Sequence, residues 1–242
     1  MILRNKRVSK FLNFKMLKIK GIEAVAWDLD GTILDSFDVF CKIIAEQSEL
    51  YGVESPTKEY IANNYHGMLV DSLKKIFVKK DIQEIIDDFK KLEEKHYIED
   101  INHHFFDDAI ALVTSANELG IKQIIVTNRG HNNGYSASPH SMISRSVIKD
   151  FIHEIRCADQ VEFRKPDARV MHDWLVTHNI RPEKVLVVGD QYVDAQLALN
   201  LSARAVLVSR GVEIPHLDIL GKDIIDKVFI VKSLHDIKLS KI

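Results

Sequence analysis

The sequence predicts an α/β fold in which a doubly wound parallel sheet carries an inserted all-helical domain. Five short apolar runs, rich in Val and Ile and each ending at a polar or charged residue, are typical of strands covered on both faces. Segments of helical periodicity lie between them, among them 107–120 and 167–179, and this alternation favours a parallel sheet. The runs are IEAVAWD (22–28), IKQIIVTN (121–128), KVLVVGD (184–190), RAVLVS (204–209) and KVFIVKS (227–233).

Residues 36–106 differ from the rest of the chain because apolar residues recur there at helical spacing and no run has the quality of the five strands. We therefore expect an all-helical insert at 36–106 and an α/β core formed by 21–35 and 107–242. Asp35 is expected to begin a helix or to act as a hinge residue. The clearest helical face in the insert is formed by Ile82, Ile85, Ile86, Phe89 and Leu92.

The overall composition favours neither nucleic acid nor a membrane as the main partner. The chain has 242 residues, a net charge of −2 and 46% hydrophobic residues, and it holds no apolar run long enough to cross a bilayer. Cys41 and Cys157 match no metal-ligand spacing and are expected to be reduced thiols of a cytoplasmic protein. The sequence does not predict the oligomeric state.

The first twenty residues are basic. Residues 1–20 hold seven Lys or Arg residues and no acid, without the apolar region and cleavage site of a secretory signal. We expect a disordered leader, or a start codon placed too early with Met16 as the true beginning. The alternative is an arm that binds a membrane surface or nucleic acid.

Two acids crowd the end of the first predicted strand. Residues two apart in an extended chain point to the same side, so Asp28 and Asp30 are expected to project together, and Gly31 lets the backbone turn away. Adjacent carboxylates repel unless a cation lies between them, and Mg²⁺ is the common intracellular cation with oxygen ligands. The alternative is that one acid caps a turn and the other is solvated.

A second pair of acids occurs at the end of the third predicted strand. Asp190 ends that strand, and Asp194 lies four residues on, in the first turn of a helix. These acids either complete a cation site with Asp28 or serve the helix start through a cap and the helix dipole.

Two further groups could bind phosphate. The hydroxyl of Thr127 and the backbone around Asn128, at a strand end, can hold phosphate oxygens through hydrogen bonds. Lys165 precedes Pro166, which keeps its backbone extended ahead of the next helix. Each signal alone is also typical of an ordinary strand end or of a solvated surface lysine.

Taken in order, these pieces resemble the haloacid dehalogenase (HAD) superfamily of aspartate-nucleophile phosphohydrolases. The resemblance spans roughly residues 22–237, and within the superfamily it is closest to the phosphoglycolate phosphatase-like members with a helical cap. It implies a Rossmann-like core and a cap at 36–106. The matching elements are DLDGT (28–32), Thr127, Lys165 with Pro166, and GDQYVD (189–194).

The resemblance also implies roles for these residues. Asp28 would be the nucleophile that forms an aspartyl-phosphate, and Asp30 the general acid and then the general base. The implied Mg²⁺ ligands are Asp28, the backbone carbonyl of Asp30, and Asp190, with Asp194 as a direct ligand or a neighbour behind the ligands. The groups implied to hold the phosphoryl oxygens are Thr127, Asn128 and Lys165.

The expected activity is Mg²⁺-dependent hydrolysis of a small phosphorylated metabolite. Asp30 favours phosphate transfer over dehalogenation, because a departing halide needs no proton and dehalogenases of the superfamily lack this acid. The alternatives are a phosphomutase or phosphotransferase on the same scaffold, or a binding module without turnover. His66 and Gly67 in the cap are candidates for selecting the substrate. The polar segment 129–146 is expected to be either a mobile lid or, slightly favoured, a loop of no consequence.

Overall fold

A computed structural model of the protein describes residues 16–64, 69–78, 80–98, 101–131, 135–217 and 227–241. In these ranges the strands are β1 (Leu17–Lys20), β2 (Ala24–Trp27), β3 (Lys122–Thr127), β4 (Glu154–Cys157), β5 (Val185–Gly189), β6 (Arg204–Val208), β7 (Val228–Val231) and β8 (Ile237–Ser240). The α-helices there are α1 (Ser36–Leu50), α2 (Lys58–Asn64), α3 (Leu69–Ile76), α4 (Ile82–Ile98), α5 (Asp107–Glu118), α6 (Pro139–Ser144), α7 (His172–Thr177) and α8 (Tyr192–Leu201).

Six of these strands form one parallel sheet in the order β4-β3-β2-β5-β6-β7. The chain builds outward from β2 to β3 and β4, then returns to the other side of β2 with β5. The strand order therefore reverses beside β2, and in open α/β sheets the crevice at such a reversal, at the carboxyl ends of the strands, is where ligands bind. The predicted doubly wound α/β fold is confirmed.

The sheet is covered on both faces, which explains why its strands are apolar without alternation. In β2, Val25 and Trp27 belong to one buried cluster, which also holds residues of α1 and α5. Ala24 and Ala26 belong to a second cluster on the other face, which holds residues of α7 and α8. Each face buries its own set of side chains, as a parallel sheet between two helical layers requires.

Helices α1 to α4 lie between β2 and the return to the core at α5. The rings of Phe40 in α1 and Phe89 in α4 are 5.5 Å apart, and the Gln47 side chain donates to the Ile85 carbonyl over 2.8 Å. Asp35 is the N-cap of α1, where its side chain accepts from a backbone N–H, as expected for a helix start. We propose this helical layer as the cap at 36–106.

The expected leader at 1–20 needs a correction. Residues 17–20 form β1, which pairs in parallel with β8, and the side chain of Ile19 is buried in the core. The alternation of Leu17 and Ile19 with two lysines is the pattern of a strand with one buried face. Residues 1–15 lie outside the described part of the chain.

The segment 167–179 also differs from its prediction as one helix. It begins with a 3₁₀ turn at Ala168–Met171, and α7 follows with its own start at His172. The Asp167 side chain caps the 3₁₀ turn by accepting from the Arg169 N–H over 2.9 Å. No helix in the described ranges combines the length and the apolar character needed to cross a membrane.

Candidate active site

The turn after β2 places two acids at the carboxyl edge of the sheet. The backbone N–H of Asp28 donates to the Val188 carbonyl of β5 over 2.8 Å. The Leu29 carbonyl then accepts from three successive backbone N–H groups, which closes a tight turn. Gly31 has a φ of +76° in this turn, a conformation that glycine adopts without strain. The structure thus brings Asp28 and Asp30 to the strand end.

Asp190 reaches the same edge from β5, the strand beside β2. The Thr32 hydroxyl donates to Asp190 Oδ1 over 3.4 Å. A Cβ atom on Gly31 would lie only 2.8 Å from Asp190 Cγ, so any side chain at this position would displace the carboxylate. The glycine of the DLDGT motif therefore serves both the turn and the position of Asp190.

Asp194 lies in the first turn of α8 and is fully buried. Its Oδ2 accepts from the Gln191 N–H over 3.1 Å, and a Cβ on Gly189 would overlap its carboxylate. Gln191, rather than Asp190, is the N-cap of α8. The carboxylate of Asp190 is therefore not required for the helix start.

Lys165 bridges two of these acids from inside the protein. Its side chain is almost fully buried, and Nζ lies 2.6 Å from Asp28 Oδ1 and 2.8 Å from Asp194 Oδ1. The Asn128 side-chain amide donates to the Lys165 carbonyl over 3.2 Å and so fixes the backbone of the lysine. The reading of Lys165 as a solvated surface charge is wrong.

The carboxylates form a compact site for a cation. One oxygen each of Asp28, Asp190 and Asp194 lies within 4.8 Å of the others. When all three carboxylates are ionised, the ammonium of Lys165 leaves two negative charges uncompensated, and a divalent cation would balance them. The donors are all oxygen atoms, the ligand type that hard divalent cations prefer. The cluster can therefore hold a divalent metal ion.

The crowding of negative charge also changes the protonation of the acids. Burial raises the pKa of Asp28 to about 7, with the charge of Asp194 adding to the effect and Lys165 opposing it. Burial and the neighbouring Asp28 and Asp194 raise the pKa of Asp190 well above its usual range. For Lys165, burial lowers the pKa, but the contacts with Asp194 and Asp28 outweigh burial and raise it. The lysine therefore stays protonated.

Thr127 ends β3 next to this cluster. The side chain is buried, and its hydroxyl accepts from the Arg129 N–H over 3.0 Å, which leaves the hydroxyl proton able to donate to a ligand. The Asn128 side chain is engaged with Lys165, so it serves the position of the lysine. Direct binding of phosphate by Thr127 and Asn128 stays a prediction.

Arg129 is a site residue that the sequence reasoning missed. Its Nη1 donates to Asp30 Oδ1 over 2.8 Å, and its Nη2 pairs with Glu93 of α4. Burial raises the pKa of Glu93, and Arg129 opposes this effect. The sequence offered one indication of a site role for Arg129, namely its position two residues after the end of β3. The acid expected to move protons is thus linked to the cap helix.

The segment 129–146 was expected to be a lid or a loop of no consequence. In its described part, the Tyr135 hydroxyl contacts Glu93 over 2.5 Å, and Ser136 donates to Glu94 over 2.9 Å. Arg145 donates to the Tyr97 carbonyl at the end of α4 over 3.3 Å. The described part of this segment therefore packs against α4, and its role as a lid or as a loop of no consequence stays a prediction. His66 and Gly67, the candidates for substrate selection, lie outside the described residues.

The site combines acids at the ends of two neighbouring parallel strands with a buried lysine between them. Residues 25–208 match the family model of the haloacid dehalogenase-like hydrolases. The chain belongs to this family, and the resemblance read from its motifs is confirmed.

The comparisons also give individual relatives. The chain is 22% identical over 188 residues to pyrophosphatase PpaX of Bacillus cereus, an alignment that covers 78% of this chain and 83% of the relative. A predicted phosphoglycolate phosphatase from Haemophilus somnus has a similar structure, with a TM-score of 0.70, 14% identity, and coverage of 89% of this chain and 96% of the other. CbbY of Rhodobacter sphaeroides, solved with xylulose-1,5-bisphosphate, gives a TM-score of 0.63, 16% identity, and coverage of 88% and 95%.

Proposed function

We propose that the protein is a Mg²⁺-dependent phosphatase that hydrolyses small phosphomonoesters through an aspartyl-phosphate. The observation that carries this proposal is the contact of Lys165 with Asp28 beside Asp190 and Asp194. This arrangement brings together the Asp28 carboxylate, which can attack phosphorus, and the Lys165 ammonium, which can hold phosphoryl oxygens. The oxygens of the neighbouring acids can bind a metal ion. Membership of a hydrolase family supports the same conclusion.

In the first step, a carboxylate oxygen of Asp28 attacks the phosphorus atom while the bond from phosphorus to the ester oxygen breaks. Asp30 gives its proton to the departing alkoxide, so the alcohol leaves neutral. The ammonium of Lys165 and the hydroxyl of Thr127 hold the non-bridging oxygens of the phosphoryl group in transfer. The products of this step are the free alcohol and a phosphorylated Asp28.

In the second step, Asp30 accepts a proton from water, and the resulting hydroxide attacks the phosphorus atom. The bond between phosphorus and the Asp28 oxygen breaks, and inorganic phosphate leaves with the carboxylate restored. Arg129 keeps the Asp30 side chain in place through its 2.8 Å hydrogen bond. Asp30 ends the cycle protonated, as it began.

Mg²⁺ is the proposed metal because the cluster offers only oxygen donors and an excess of negative charge. Asp28, Asp190 and the backbone carbonyl of Asp30 would bind the ion directly. Asp194 would support these ligands without binding the ion, since its own carboxylate contacts Lys165 and the Gln191 N–H. When bound, the ion neutralises charge on the phosphoryl group and keeps the acids ionised.

The substrate class is proposed as small phosphorylated metabolites. The similar proteins support this class, since they include a pyrophosphatase, a predicted phosphoglycolate phosphatase and a protein solved with a bound sugar bisphosphate. Asp30 supports phosphate transfer over dehalogenation, because its proton is needed by an alkoxide and not by a halide.

The decisive experiment measures release of inorganic phosphate from an aryl phosphate. We expect turnover by the purified full chain, loss of turnover with EDTA, and recovery with Mg²⁺. Asp28→Asn should abolish it, whereas Asp150→Asn should not, because Asp150 is an exposed acid in the turn before β4, at the opposite edge of the sheet. Undiminished turnover in Asp28→Asn would refute the mechanism, and an isomerised or transferred phosphate without free phosphate would indicate a mutase or transferase.

A further inference from the structure

A second cluster of metal-ligating side chains lies outside the catalytic acids. One ligand atom each of His131, His140 and Cys157 lies within 4.8 Å of the others. Cys157 ends β4 and is in register with Thr127 of β3, so the cluster is at the carboxyl edge of the sheet. The residues come from three separate segments of the chain, namely the turn after β3, helix α6 and strand β4.

The distance between the cysteine sulfur and one ring nitrogen is close to that expected around a zinc ion. Cys157 Sγ and His140 Nδ1 are 3.8 Å apart. A zinc ion with a sulfur ligand at about 2.3 Å and a nitrogen ligand at about 2.0 Å places those two atoms roughly 3.5 Å apart at the tetrahedral angle. The same 3.8 Å is long for a direct hydrogen bond between the thiol and the ring.

A second and independent observation is an unsatisfied nitrogen atom in this cluster. His131 Nδ1 is buried and has no hydrogen-bond partner in the part of the chain that the structure describes. A buried polar atom without a partner is costly, unless a ligand satisfies it. The rings of His131 and His140 are close, with centroids 4.4 Å apart, so both can face one ion.

The backbone around the cluster holds the donors in place. The His131 N–H donates to Asp159 Oδ1 over 2.6 Å, and the Ala158 N–H donates to the Arg129 carbonyl over 3.1 Å. These bonds join the turn after β3 to the turn after β4. The Asp159 carboxylate adds a negative charge beside the donors, which favours a cation.

We propose that His131, His140 and Cys157 form a zinc site with three protein ligands that fastens the turn after β3 to β4. Sulfur and imidazole donors select zinc and related transition metals, whereas the oxygen donors of the catalytic cluster select Mg²⁺. The three protein ligands leave the fourth tetrahedral position open to water, since both histidines are only partly buried. Cys157 is fully buried, so its thiol has no access to a substrate and does not act as a nucleophile.

Cobalt absorption tests the site directly, without reference to activity. The full chain is reduced, freed of metal with a chelator, and titrated with Co²⁺ in excess Mg²⁺, which occupies the oxygen donors. We expect thiolate-to-cobalt charge-transfer absorption that saturates at one Co²⁺ per chain and disappears when Zn²⁺ is added. Absence of this absorption in the wild-type chain would overturn the proposal.

Two cysteine variants assign the absorption, because the chain has only two cysteines. Cys41→Ser is the matched control, since Cys41 is a buried cysteine in α1, and it should keep the absorption. Cys157→Ser should lose it, and His140→Gln should weaken Co²⁺ binding by more than the roughly 10- to 100-fold that loss of an outer-shell partner costs. Loss in Cys41→Ser together with retention in Cys157→Ser would contradict the site. If Cys157→Ser fails to fold by circular dichroism, the Cys41→Ser spectrum still decides, because its only thiol is Cys157.

Discussion

Arg129 Nη1 donates to Asp30 Oδ1 over 2.8 Å, and the same guanidinium pairs with Glu93 of the cap helix α4. The side chains of Arg129 and Glu93 are largely buried, so this pair is screened less by water than a surface ion pair is. The proton-transfer residue of the proposed mechanism is therefore oriented by a link that runs through the cap.

Arg129→Gln should slow the steps that need Asp30. A misplaced acid matters most when the leaving group is a poor one, so we expect kcat/KM, which reports the first step, to fall by about 10- to 100-fold for an alkyl phosphate and much less for nitrophenyl phosphate. Steady-state kinetics on both esters measure the difference. Arg181→Gln serves as a control, since Arg181 is an exposed arginine paired with Glu183. Equal losses of kcat/KM on both substrates would argue against positioning of Asp30 as the acid of the first step.

The link between Arg129 and Glu93 should be visible as a coupling energy. Residues in direct contact show interaction energies of about 0.5–3 kcal/mol in double-mutant cycles. We expect such a coupling between Arg129→Gln and Glu93→Gln in kcat for the alkyl ester. If the effects of the two substitutions simply add, the cap helix does not act on Asp30 through this pair.

Gly31→Ala should weaken metal binding by displacing Asp190. The added methyl group would overlap the Asp190 carboxylate, and the φ of +76° would be strained. We expect a loss of at least about 1 kcal/mol in the free energy of unfolding and a clear fall in Mg²⁺ affinity by calorimetry. Gly52→Ala separates the two effects, because Gly52 has a φ of +62° with no atom within 4 Å of its Cβ position in the described residues. Equal Mg²⁺ affinity in both variants would contradict this reading.

Metal binding should strengthen as pH rises through about 7. The pKa of Asp28 is raised to about 7 by burial, so below that pH a proton must leave before the carboxylate can bind Mg²⁺. Calorimetry at pH 6 and pH 8 measures the change. Asp28→Asn should flatten this part of the dependence, whereas Asp150→Asn should keep it.

The same raised pKa predicts how the metal-free protein responds to pH. Asp28 binds its proton more tightly in the folded chain than in the unfolded chain, where the pKa is near 3.8. Its contribution to stability is therefore full below about pH 4 and is lost as pH rises through about 7. In EDTA, Asp28→Asn should raise the Tm more at pH 8 than at pH 5. A rise of equal size at both pH values would mean that the pKa of Asp28 is not shifted.

The positions of the catalytic-cluster residues at strand ends could be predicted from the sequence, because each of these residues follows a buried apolar run. The chain stops being apolar at Asp28, Thr127 and Asp190, and parallel strands bring their carboxyl ends to one edge. Strand β4 escaped prediction because it is short and carries Glu154 and Arg156 on the edge of the sheet. Its polar residues find partners in tertiary contacts, such as Arg156 with Asp173, that no local pattern reports.

The site residues that the sequence did not predict were missed for one physical reason. Arg129 and Asp30 are 99 residues apart in the chain, and the His131, His140 and Cys157 cluster forms only when β3 and β4 pair. Such contacts depend on side-chain direction in the folded protein, which periodicity does not encode. The buried position of Lys165 belongs to the same class, because the residues that surround it come from β2 and α8.

The stereochemical course at phosphorus tests the central claim most directly. The substrate is a phosphorothioate monoester made chiral at phosphorus with two oxygen isotopes, and the inorganic thiophosphate released in water of the third isotope is analysed. Two successive in-line displacements, first by Asp28 and then by the water oxygen, predict retention of configuration. Inversion would show one direct displacement and would contradict a phosphorylated Asp28.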